Sequence, residues 1–367
     1  MSLVVTQVGY RNFRNMETRV LEPARGLTVL VGPNAVGKTN CIEGMQVLTC
    51  GASFKHASPS ELLRQGCDQG SLNMHIEGEK RQIDVTCDIH PTRKLYKVNG
   101  KRRSVQGQVC DLTSVLFFPD ELALVKGPAA GRRDLLDGFG SQLKESYAQV
   151  AHDYRRAVYQ RNTLFKEAAR AGADPDRTLV EAWSASAARA GAVLFCYRQA
   201  LLARLAPHVE RVYGELAAGE GAQMSYDSAW ASGFDASTPR QEVEDALFGL
   251  LMSNMAEQER RCATLVGPHL DDIDLRISNA SARAFASQGQ QRSLVLAIKL
   301  AQVEFVAEVS GQYPLFLLDD VMSELDASRR SRLFGLVAAG VQTVVTTTNL
   351  DYFSAAELDR AKVVMLP

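Results

Sequence analysis

Residues 32–39 read Gly32-Pro33-Asn34-Ala35-Val36-Gly37-Lys38-Thr39 and match the phosphate-binding pattern G-x-x-x-x-G-K-[ST] at every fixed position. The two glycines allow a tight backbone turn whose N–H groups point at phosphate oxygens. Lys38 can place a positive charge on the β and γ phosphates, and the Thr39 hydroxyl can ligate Mg²⁺. All eight residues are therefore expected to contact a nucleoside triphosphate.

The sequence on both sides of this loop supports the same interpretation. The apolar run Leu27–Val31 predicts a buried strand, and residues 39–49 have helical spacing. The loop then lies at a helix N-terminus, where backbone N–H groups and the helix dipole stabilise anions. A chance match in a glycine-bearing loop does not require a strand before it and a helix after it.

Two carboxylates near the other end of the chain are the expected catalytic partners of the loop. The segment Pro314–Asp320 reads as a short apolar strand that ends in Asp319 and Asp320. Asp319 is placed to hold Mg²⁺ through water, and Asp320 to orient or deprotonate the attacking water. Without Thr39, a strand capped by acidic turn residues would be the better interpretation.

A second anion site is predicted at Ser287-Gln288-Gly289-Gln290-Gln291-Arg292, which precedes the strongly helical residues 293–309. A serine hydroxyl, backbone N–H groups and a helix dipole meet there. Ser287, Gly289 and Gln290 resemble the signature of the ATP-binding-cassette (ABC) class, and Ser323–Asp326 resembles its D-loop. In that class the loop and the signature face each other across a dimer with ATP between them. The alternative for Ser287 is an ordinary helix N-cap.

Composition sets limits on the class of protein. The chain has 367 residues, 46% hydrophobic and 23% charged, with a net charge of −1, so DNA binding requires local basic patches. The seven cysteines are scattered, odd in number and never spaced C-x-x-C, which favours a reduced cytoplasmic location without a zinc site. No apolar run is long enough to span a bilayer, and the N-terminus lacks a charged segment followed by an apolar one, as a signal peptide has. We therefore expect no membrane partner.

The order of patterns predicts an α/β fold, an ABC-type ATPase head (P-loop NTPase) that is split in sequence by a mainly helical arm. Strands are indicated at 3–8, 18–21, 72–76, 83–89 and 95–98, and Asn99-Gly100 indicates a type I′ hairpin. Long helical stretches follow at 143–170 and 179–216, then a Gly/Ser/Asp-rich connector at 219–238 and a helix at 239–262. After Gly267 strand and helix alternate to the end. The expected divisions are head residues 1–118, arm residues 119–264 and head residues 265–367.

The hairpin around Asn99 carries a cluster of cations without an acid. Those expected to contact a DNA backbone are Lys94, Lys97, Lys101, Arg102 and Arg103. The alternative is a solvated hairpin whose lysines protect a sheet edge from strand addition. The sequence supports the DNA contact and the edge-protecting hairpin equally. Arg11 and Arg14, which precede the nucleotide strand, can reach either the nucleotide or DNA.

Motifs along nearly the whole chain resemble the RecF family of bacterial recombination-mediator ATPases. Besides the loop, the signature and the two aspartates, they are Asn12–Asn15, Phe118–Leu122, Val125–Gly127, Arg132–Asp137 and Val266–His269. The resemblance implies an ATP-dependent homodimer with ATP and Mg²⁺ as cofactors. It further implies DNA as a partner, at single-strand gaps and in double-stranded form, and work with RecR and RecO in loading RecA.

The chain departs from the expected motifs at three points. Leu270 stands where the family usually has arginine, Asp320 replaces the glutamate of the wider class, and Thr346-Thr347-Thr348-Asn349 replaces its switch histidine. The shorter side chain of Asp320 and the lack of a switch histidine favour a slow, switch-like ATPase. Two other classes fit less well. A transporter subunit would carry a compact insertion, and an SMC or Rad50-like head would need hundreds of coiled-coil residues between the loop and the signature.

Overall fold

The computed structural model describes residues 3–79, 81–105, 107–217, 219–235 and 237–367. The strands are β1 (Val4–Phe13), β2 (Met16–Leu21), β3 (Leu27–Val31), β4 (Gly70–Glu77), β5 (Gln82–His90), β6 (Arg93–Val98), β7 (Lys101–Arg103), β8 (Ser114–Phe117), β9 (Ala222–Asp227), β10 (Asp272–Ile277), β11 (Ala280–Ser281), β12 (Leu315–Asp319), β13 (Thr343–Thr347) and β14 (Lys362–Met365).

The α-helices are α1 (Lys38–Cys50), α2 (Pro59–Leu62), α3 (Ala123–Lys126), α4 (Ala129–Leu143), α5 (Glu145–Ala171), α6 (Arg177–Leu216), α7 (Arg240–Ser253), α8 (Met255–Arg261), α9 (Ala282–Phe285), α10 (Gln288–Ser310), α11 (Ala327–Ala338) and α12 (Ala355–Asp359). Short 3₁₀ helices cover Pro119–Leu122, Pro268–Leu270 and Met322–Glu324. No helix among the described residues is long and apolar enough to cross a membrane.

Packing groups the chain into two compact units. The head unit comprises Met1–Val125, His208–Ala222 and Ala284–Pro367, and the arm unit comprises Lys126–Pro207 and Gln223–Arg283. The long helix α6 passes from the arm unit to the head unit after Pro207. The functional division predicted at 118/119 and 264/265 stays a prediction.

The parallel sheet of the head unit has the strand order β14-β3-β13-β12-β8. All five residues of β3 and of β12 are buried, which is typical of inner strands covered on both faces. Because the strands are parallel, their carboxyl ends meet at one edge of the sheet. The residues that follow β3 and β12 are therefore brought together.

An antiparallel sheet with the order β2-β1-β4-β5-β6-β7 completes the head unit. Helix α1 packs between the two sheets through Ile42, Met45 and Leu48, which are fully buried in the shared core. Gly44 permits this approach, because a Cβ there would lie 2.5 Å from a ring carbon of Tyr10 on β1. The Tyr10 hydroxyl then donates to the carbonyl of Cys41 at 2.9 Å. The helix that carries Lys38 is thus held on both faces.

The arm unit is mainly helical. Its core joins α5, α6 and α7 through residues such as Tyr154, Ala188 and Leu247. Arg161 of α5 is fully buried and donates to Ser184 Oγ at 2.8 Å and to Gln258 Oε1 at 2.7 Å. Strands β9, β10 and β11 form a small sheet in the order β11-β10-β9.

The structure confirms the predicted class, an α/β ABC-type head with a helical arm. Strand β3 and helix α1 lie where the sequence places them, and Asn99 and Gly100 take the positive φ angles, 49° and 75°, of the predicted hairpin. Two expectations are wrong. The connector at 219–238 contains β9, and the first strands after Gly267, β10 and β11, join β9 instead of the parallel sheet.

Candidate nucleotide-binding site

The turn into α1 requires glycine at position 37. Gly37 has φ of +103°, a conformation that L side chains rarely adopt, and a Cβ there would lie 2.9 Å from Asn15 Oδ1. Asn15, in the turn between β1 and β2, donates to the carbonyl of Ala35 at 3.1 Å and accepts from Asn40 Nδ2 at 2.9 Å. Asn15 therefore ties the loop to α1. In the sequence Asn15 stands within a family motif, but no local pattern there indicates this role.

The Lys38 ammonium is held against the loop itself. Its Nζ donates to the carbonyl of Gly32 at 2.7 Å and to that of Pro33 at 2.9 Å, and the residue is 7% exposed. A fixed cation beside the N-terminal N–H groups of α1 gives this edge of the sheet a strong preference for an anion. Phosphate is the chemical group that such a loop accommodates best.

Asp319 is the centre of a polar network next to the loop. Thr39 Oγ1 donates to Asp319 Oδ1 at 2.9 Å, and Thr346 Oγ1 donates to the same oxygen at 2.7 Å. Burial raises the pKa of Asp319, hydrogen bonds from Thr346 and Thr39 act in the opposite direction, and the nearby charge of Asp320 raises it further. A cation at this carboxylate would relieve the cost of its burial. The hydroxyl of Thr39 and the carboxylate of Asp319 are hard oxygen ligands, the type that Mg²⁺ prefers.

Asp320 is exposed and has an unusual backbone conformation. Its φ is +51°, which is uncommon for a residue other than glycine, and its N–H donates to Thr346 Oγ1 at 2.9 Å. Thr346 thus contacts both aspartates, which makes it a positioning residue. In the sequence this threonine stands out only as part of the segment that replaces a switch histidine.

Arg14 stabilises α1. It donates twice to the buried Glu43, from Nε to Oε2 at 2.9 Å and from Nη2 to Oε1 at 2.5 Å. Ser53 Oγ also donates to Glu43 Oε1, at 2.5 Å. The sequence leaves open whether Arg14 reaches a nucleotide or DNA. In the structure its guanidinium binds Glu43, a carboxylate of the helix that follows the loop.

The predicted second anion site forms the start of α10. Ser287 is the N-cap: its Oγ accepts from the Gln290 N–H at 3.2 Å, and Gln290 Oε1 accepts from the Ser287 N–H at 2.9 Å. The structure therefore confirms that Ser287 caps α10. This cap does not compete with a role toward phosphate, because a hydroxyl that accepts at a cap still carries a proton to donate.

Two arginines connect the signature helix α10 with the D-loop. Arg292 forms an ion pair with Glu324 at 2.7 Å. Arg329 of α11 donates to the carbonyl of Gly289 at 3.0 Å and to Ser293 Oγ at 2.7 Å, and it pairs with Asp326 at 2.5 Å. The segment after the two aspartates is thus fastened to the start of α10. Apart from Asp326 and Arg329, which are three positions apart, these pairs have no local signal in the sequence.

The basic hairpin has mixed environments. Lys94 Nζ donates to the carbonyl of Gly51 at 2.6 Å, and burial lowers its pKa, so its ammonium stabilises the turn after α1. Lys97 pairs with Asp88 at 3.0 Å. Lys101 and Arg102 are exposed on β7, the edge strand of the antiparallel sheet, where Arg103 is half-buried. A contact of this hairpin with DNA stays a prediction.

Two motifs of the RecF resemblance, Arg132–Asp137 and Val266–His269, lie in the arm unit. Arg132 pairs with Asp272 at 2.6 Å. Gly267 has φ of +124°, and a Cβ there would lie 2.5 Å from the hydroxyl of Tyr154, which bonds His269 Nδ1 at 2.7 Å. Leu270, in the position where the family usually has arginine, is 55% exposed. These contacts hold the arm unit together.

The fold and this site define a P-loop ATPase head of the ABC type. A model of the RecF/RecN/SMC N terminal domain matches residues 4–365. A curated "DNA replication and repair protein RecF" from Symbiobacterium thermophilum is 37% identical over 355 residues, which are 96% of this chain and 92% of the other. That from Gloeobacter violaceus is 35% identical over 373 residues, 99% and 97% of the two chains. The chain belongs to the RecF family.

Solved structures agree with this assignment. The structure of "the recombination mediator protein RecF-ATP in RecFOR pathway" superposes with a TM-score of 0.88 at 26% identity, over 96% of this chain and 94% of the other. An Smc head domain from Pyrococcus furiosus has a TM-score of 0.52 at 15% identity, over 95% and 90% of the two chains. The second likeness concerns the fold alone.

Proposed function

We propose that this protein is an ATPase of recombinational DNA repair and replication-fork maintenance, which binds DNA at single-strand gaps as an ATP-induced dimer. One observation carries the proposal: Thr39 and Thr346 both donate to Asp319 beside the Lys38 loop. Phosphate-binding donors and a carboxylate suited to a metal ion are thereby brought to one edge of the parallel sheet. Membership of the RecF family supports the biological setting.

The residues of the site fit ATP and Mg²⁺. The loop residues 32–39 would hold the phosphates, with Lys38 on the β and γ groups, and Thr39 and Asp319 would hold the metal ion, Asp319 through water. Mg²⁺, when bound, neutralises negative charge on the phosphate oxygens. Asp320 orients or deprotonates the attacking water, and the Thr346 hydroxyl holds its backbone in place. The short side chain of Asp320 favours slow turnover.

The predicted second anion site in the head unit supports the proposed dimer. Ser287 and the first N–H groups of α10 offer donors to a phosphate, while the loop site already has its own donors. A nucleotide held by the loop of one subunit and by Ser287, Gly289 and Gln290 of another uses both sites. Such a composite site forms only when ATP is bound, which makes dimerisation depend on ATP.

DNA and partner proteins belong to the same proposal. The solved relative is described as a protein of the RecFOR pathway. Because this chain belongs to the same family, we expect it to work in the cytoplasm with RecR and RecO in loading RecA. Of the hairpin cations, Lys101 and Arg102 are best placed for a DNA backbone, because Lys94 is engaged with the Gly51 carbonyl and Lys97 pairs with Asp88. The head-arm-head division at 118/119 and 264/265 is proposed on the same grounds.

A binding titration tests the function. Gapped, single-stranded and double-stranded DNA of matched sequence are titrated with the protein, with and without ATP and Mg²⁺. We expect the gapped DNA to bind most tightly and only with ATP, and the Lys38→Ala protein to lose the ATP-dependent part. DNA should also stimulate ATP hydrolysis by the wild type. DNA affinity that is unaffected by ATP, together with turnover unaffected by DNA, would favour the transporter-type alternative.

A further inference from the structure

Glu220, which lies outside every family motif of the chain, is hydrogen-bonded to Gln290 at the start of α10. Gln290 Nε2 donates to both oxygens of Glu220, at 3.1 Å each. A carboxylate can only accept, so it selects the nitrogen end of the Gln290 amide. The oxygen end is thereby directed to the N–H of Ser287, which it accepts at 2.9 Å. The orientation of the Gln290 side chain, and with it the capping box, depends on Glu220.

Glu220 is itself held in place. The hydroxyl of Tyr213, a fully buried residue of α6, donates to Glu220 Oε2 at 2.9 Å. Burial, followed by the hydrogen bond to Glu220, raises the pKa of Tyr213 well above that of a free phenol, so the hydroxyl keeps its proton and remains a donor. Glu220 therefore receives hydrogen bonds from a core tyrosine on one side and from the signature glutamine on the other.

The segment that carries Glu220 is attached to the signature helix along its length. His208 pairs with Glu308 of α10 at 3.0 Å, and Arg211 forms an ion pair with Glu304 of the same helix. Residues 208–222 pack within the head unit, although the chain belongs to the arm unit both before and after them. The carboxylate thus lies on the stretch through which the arm sequence passes into the ATPase head.

We propose that Glu220 is a positioning residue for the composite ATP site. It holds Gln290 so that the Ser287 hydroxyl and the first free N–H groups of α10 are presented to the nucleotide of the partner subunit. This inference rests on the proposed ATP-induced dimer. Glu220 touches neither nucleotide nor metal in this scheme, and it acts through Gln290 alone.

The first test compares dimerisation with ATP binding. Glu220→Ala should weaken ATP-induced dimerisation about tenfold, the loss expected for one hydrogen bond to a charged group. ATP binding by the monomer should be unchanged, because the loop residues 32–39 are intact. Glu215→Ala is the matched control, since Glu215 is an acid of the same segment that pairs with Arg211 at 2.7 Å and with Arg332, and the structure shows no bond from it to Gln290 among the described residues. It should dimerise as the wild type does.

A mixing experiment separates positioning of the signature from a general effect on folding. Differently labelled chains are used, so that energy transfer reports mixed dimers alone. With Lys38→Ala on one chain and Glu220→Ala on the other, one composite site keeps both a normal loop and a normal signature. With both changes on one chain and a wild-type partner, neither site is normal. The separated arrangement should therefore give more mixed dimer than the combined one.

The outcomes distinguish the inference from the function on which it rests. If Ser287→Arg prevents dimerisation while Glu220→Ala matches the wild type, Glu220 has no positioning role and the proposed function stands. If Glu220→Ala weakens dimerisation equally in the separated and combined arrangements, it acts on the fold and the inference is wrong. A wild-type protein that remains monomeric with ATP and Mg²⁺ overturns the proposed function together with the inference.

Discussion

Thr39 and Asp319 lie 280 positions apart in the sequence, and Thr39 Oγ1 donates a 2.9 Å hydrogen bond to Asp319 Oδ1. The contact exists because β3 and β12 both border β13 in the parallel sheet, so their carboxyl ends lie at one edge. Residues that follow the two strands, one on α1 and one at the end of β12, are therefore neighbours. The oxygen ligands of the proposed metal ion are brought together by the sheet itself.

Thr39→Val should remove most of the effect of Mg²⁺ on ATP affinity. The substitution keeps the shape of the side chain and deletes the hydroxyl ligand, so we expect a loss on the order of tenfold with Mg²⁺ and little change in its absence. Calorimetric titration with and without Mg²⁺ measures both values. Thr346→Val is the control, because it also removes a bond to Asp319 but leaves the Thr39 hydroxyl. Full retention of metal dependence in Thr39→Val would exclude Thr39 as a ligand.

Lys38→Ala should abolish tight ATP binding. The ammonium supplies charge-assisted hydrogen bonds to two phosphates, and their loss corresponds to about 10²-fold or more in affinity. The protein should remain folded, because among the described residues the head of this lysine bonds only the loop carbonyls of Gly32 and Pro33. Calorimetry gives the affinity and circular dichroism checks the fold. Lys166→Ala, an exposed lysine of α5, should change neither; near-wild-type affinity in Lys38→Ala would refute the role of the loop.

Asp320→Asn should keep ATP binding and slow hydrolysis by about 10²-fold or more, since it removes the proposed water-orienting group while Asp319 remains. The ATP-bound dimer should persist longer as a result. Single-turnover kinetics measure the hydrolysis step, with Asp359→Asn as an exposed control at the end of α12. Unchanged turnover would mean that another acid performs this role.

The local parts of the fold and site can be predicted from the sequence. The loop, the strand before it and the helix after it depend on residues close together in the chain, and the structure confirms them over Leu27–Val31 and Lys38–Cys50. Strand β9 could not be predicted, because its six residues lie in a Gly/Ser/Asp-rich stretch and gain their partner β10 only by folding. Short strands of this kind leave little periodic signal.

Contacts between side chains that are far apart in the chain could not be predicted from the sequence either. Glu220 bonds Gln290, 70 positions away, and Arg329 bonds Ser293, 36 positions away, and neither pair has a recognisable spacing. The basic hairpin illustrates the same limit. Lys94 resembles its exposed neighbours in the sequence, yet its long aliphatic stem allows the ammonium to reach the carbonyl of Gly51 from a half-buried position.

A buried ion pair fastens the signature helix to the end of the first head segment. Lys299 of α10 pairs with Glu121, and their side chains are 5% and 11% exposed. Glu121 Oε2 meets no hydrogen-bond donor among the described residues. Burial raises the pKa of Glu121 even though Lys299 acts in the opposite direction. Since the folded state then holds this proton more tightly, the contribution of Glu121 to stability falls as the pH rises through the interval above its usual pKa of 4.5.

Glu121→Leu and Lys299→Met should each lower the free energy of unfolding by about 3–5 kcal/mol, because each leaves one buried charge unpaired. The double variant should be close to the wild type, since neither charge remains and the apolar side chains fill similar volume. Urea unfolding of the four proteins forms the double-mutant cycle. Additive losses would show that the two side chains do not interact in solution.

Ser287→Arg distinguishes a shared ATP site from a self-contained one. If Ser287 contacts the nucleotide of the partner subunit, a bulky cation there should leave ATP binding by the monomer intact and prevent ATP-induced dimerisation. Ser287→Ala provides a milder variant, which removes the hydroxyl and costs the cap of α10 about 1 kcal/mol. Sedimentation with ATP and Mg²⁺ measures the dimer. Normal dimerisation of Ser287→Arg would leave the serine as a helix cap only.

Mixing gives the decisive result. A Lys38→Ala chain and a Ser287→Arg chain together form one doubly damaged site and one normal site. Their mixture should therefore dimerise and hydrolyse ATP, although neither protein does so alone.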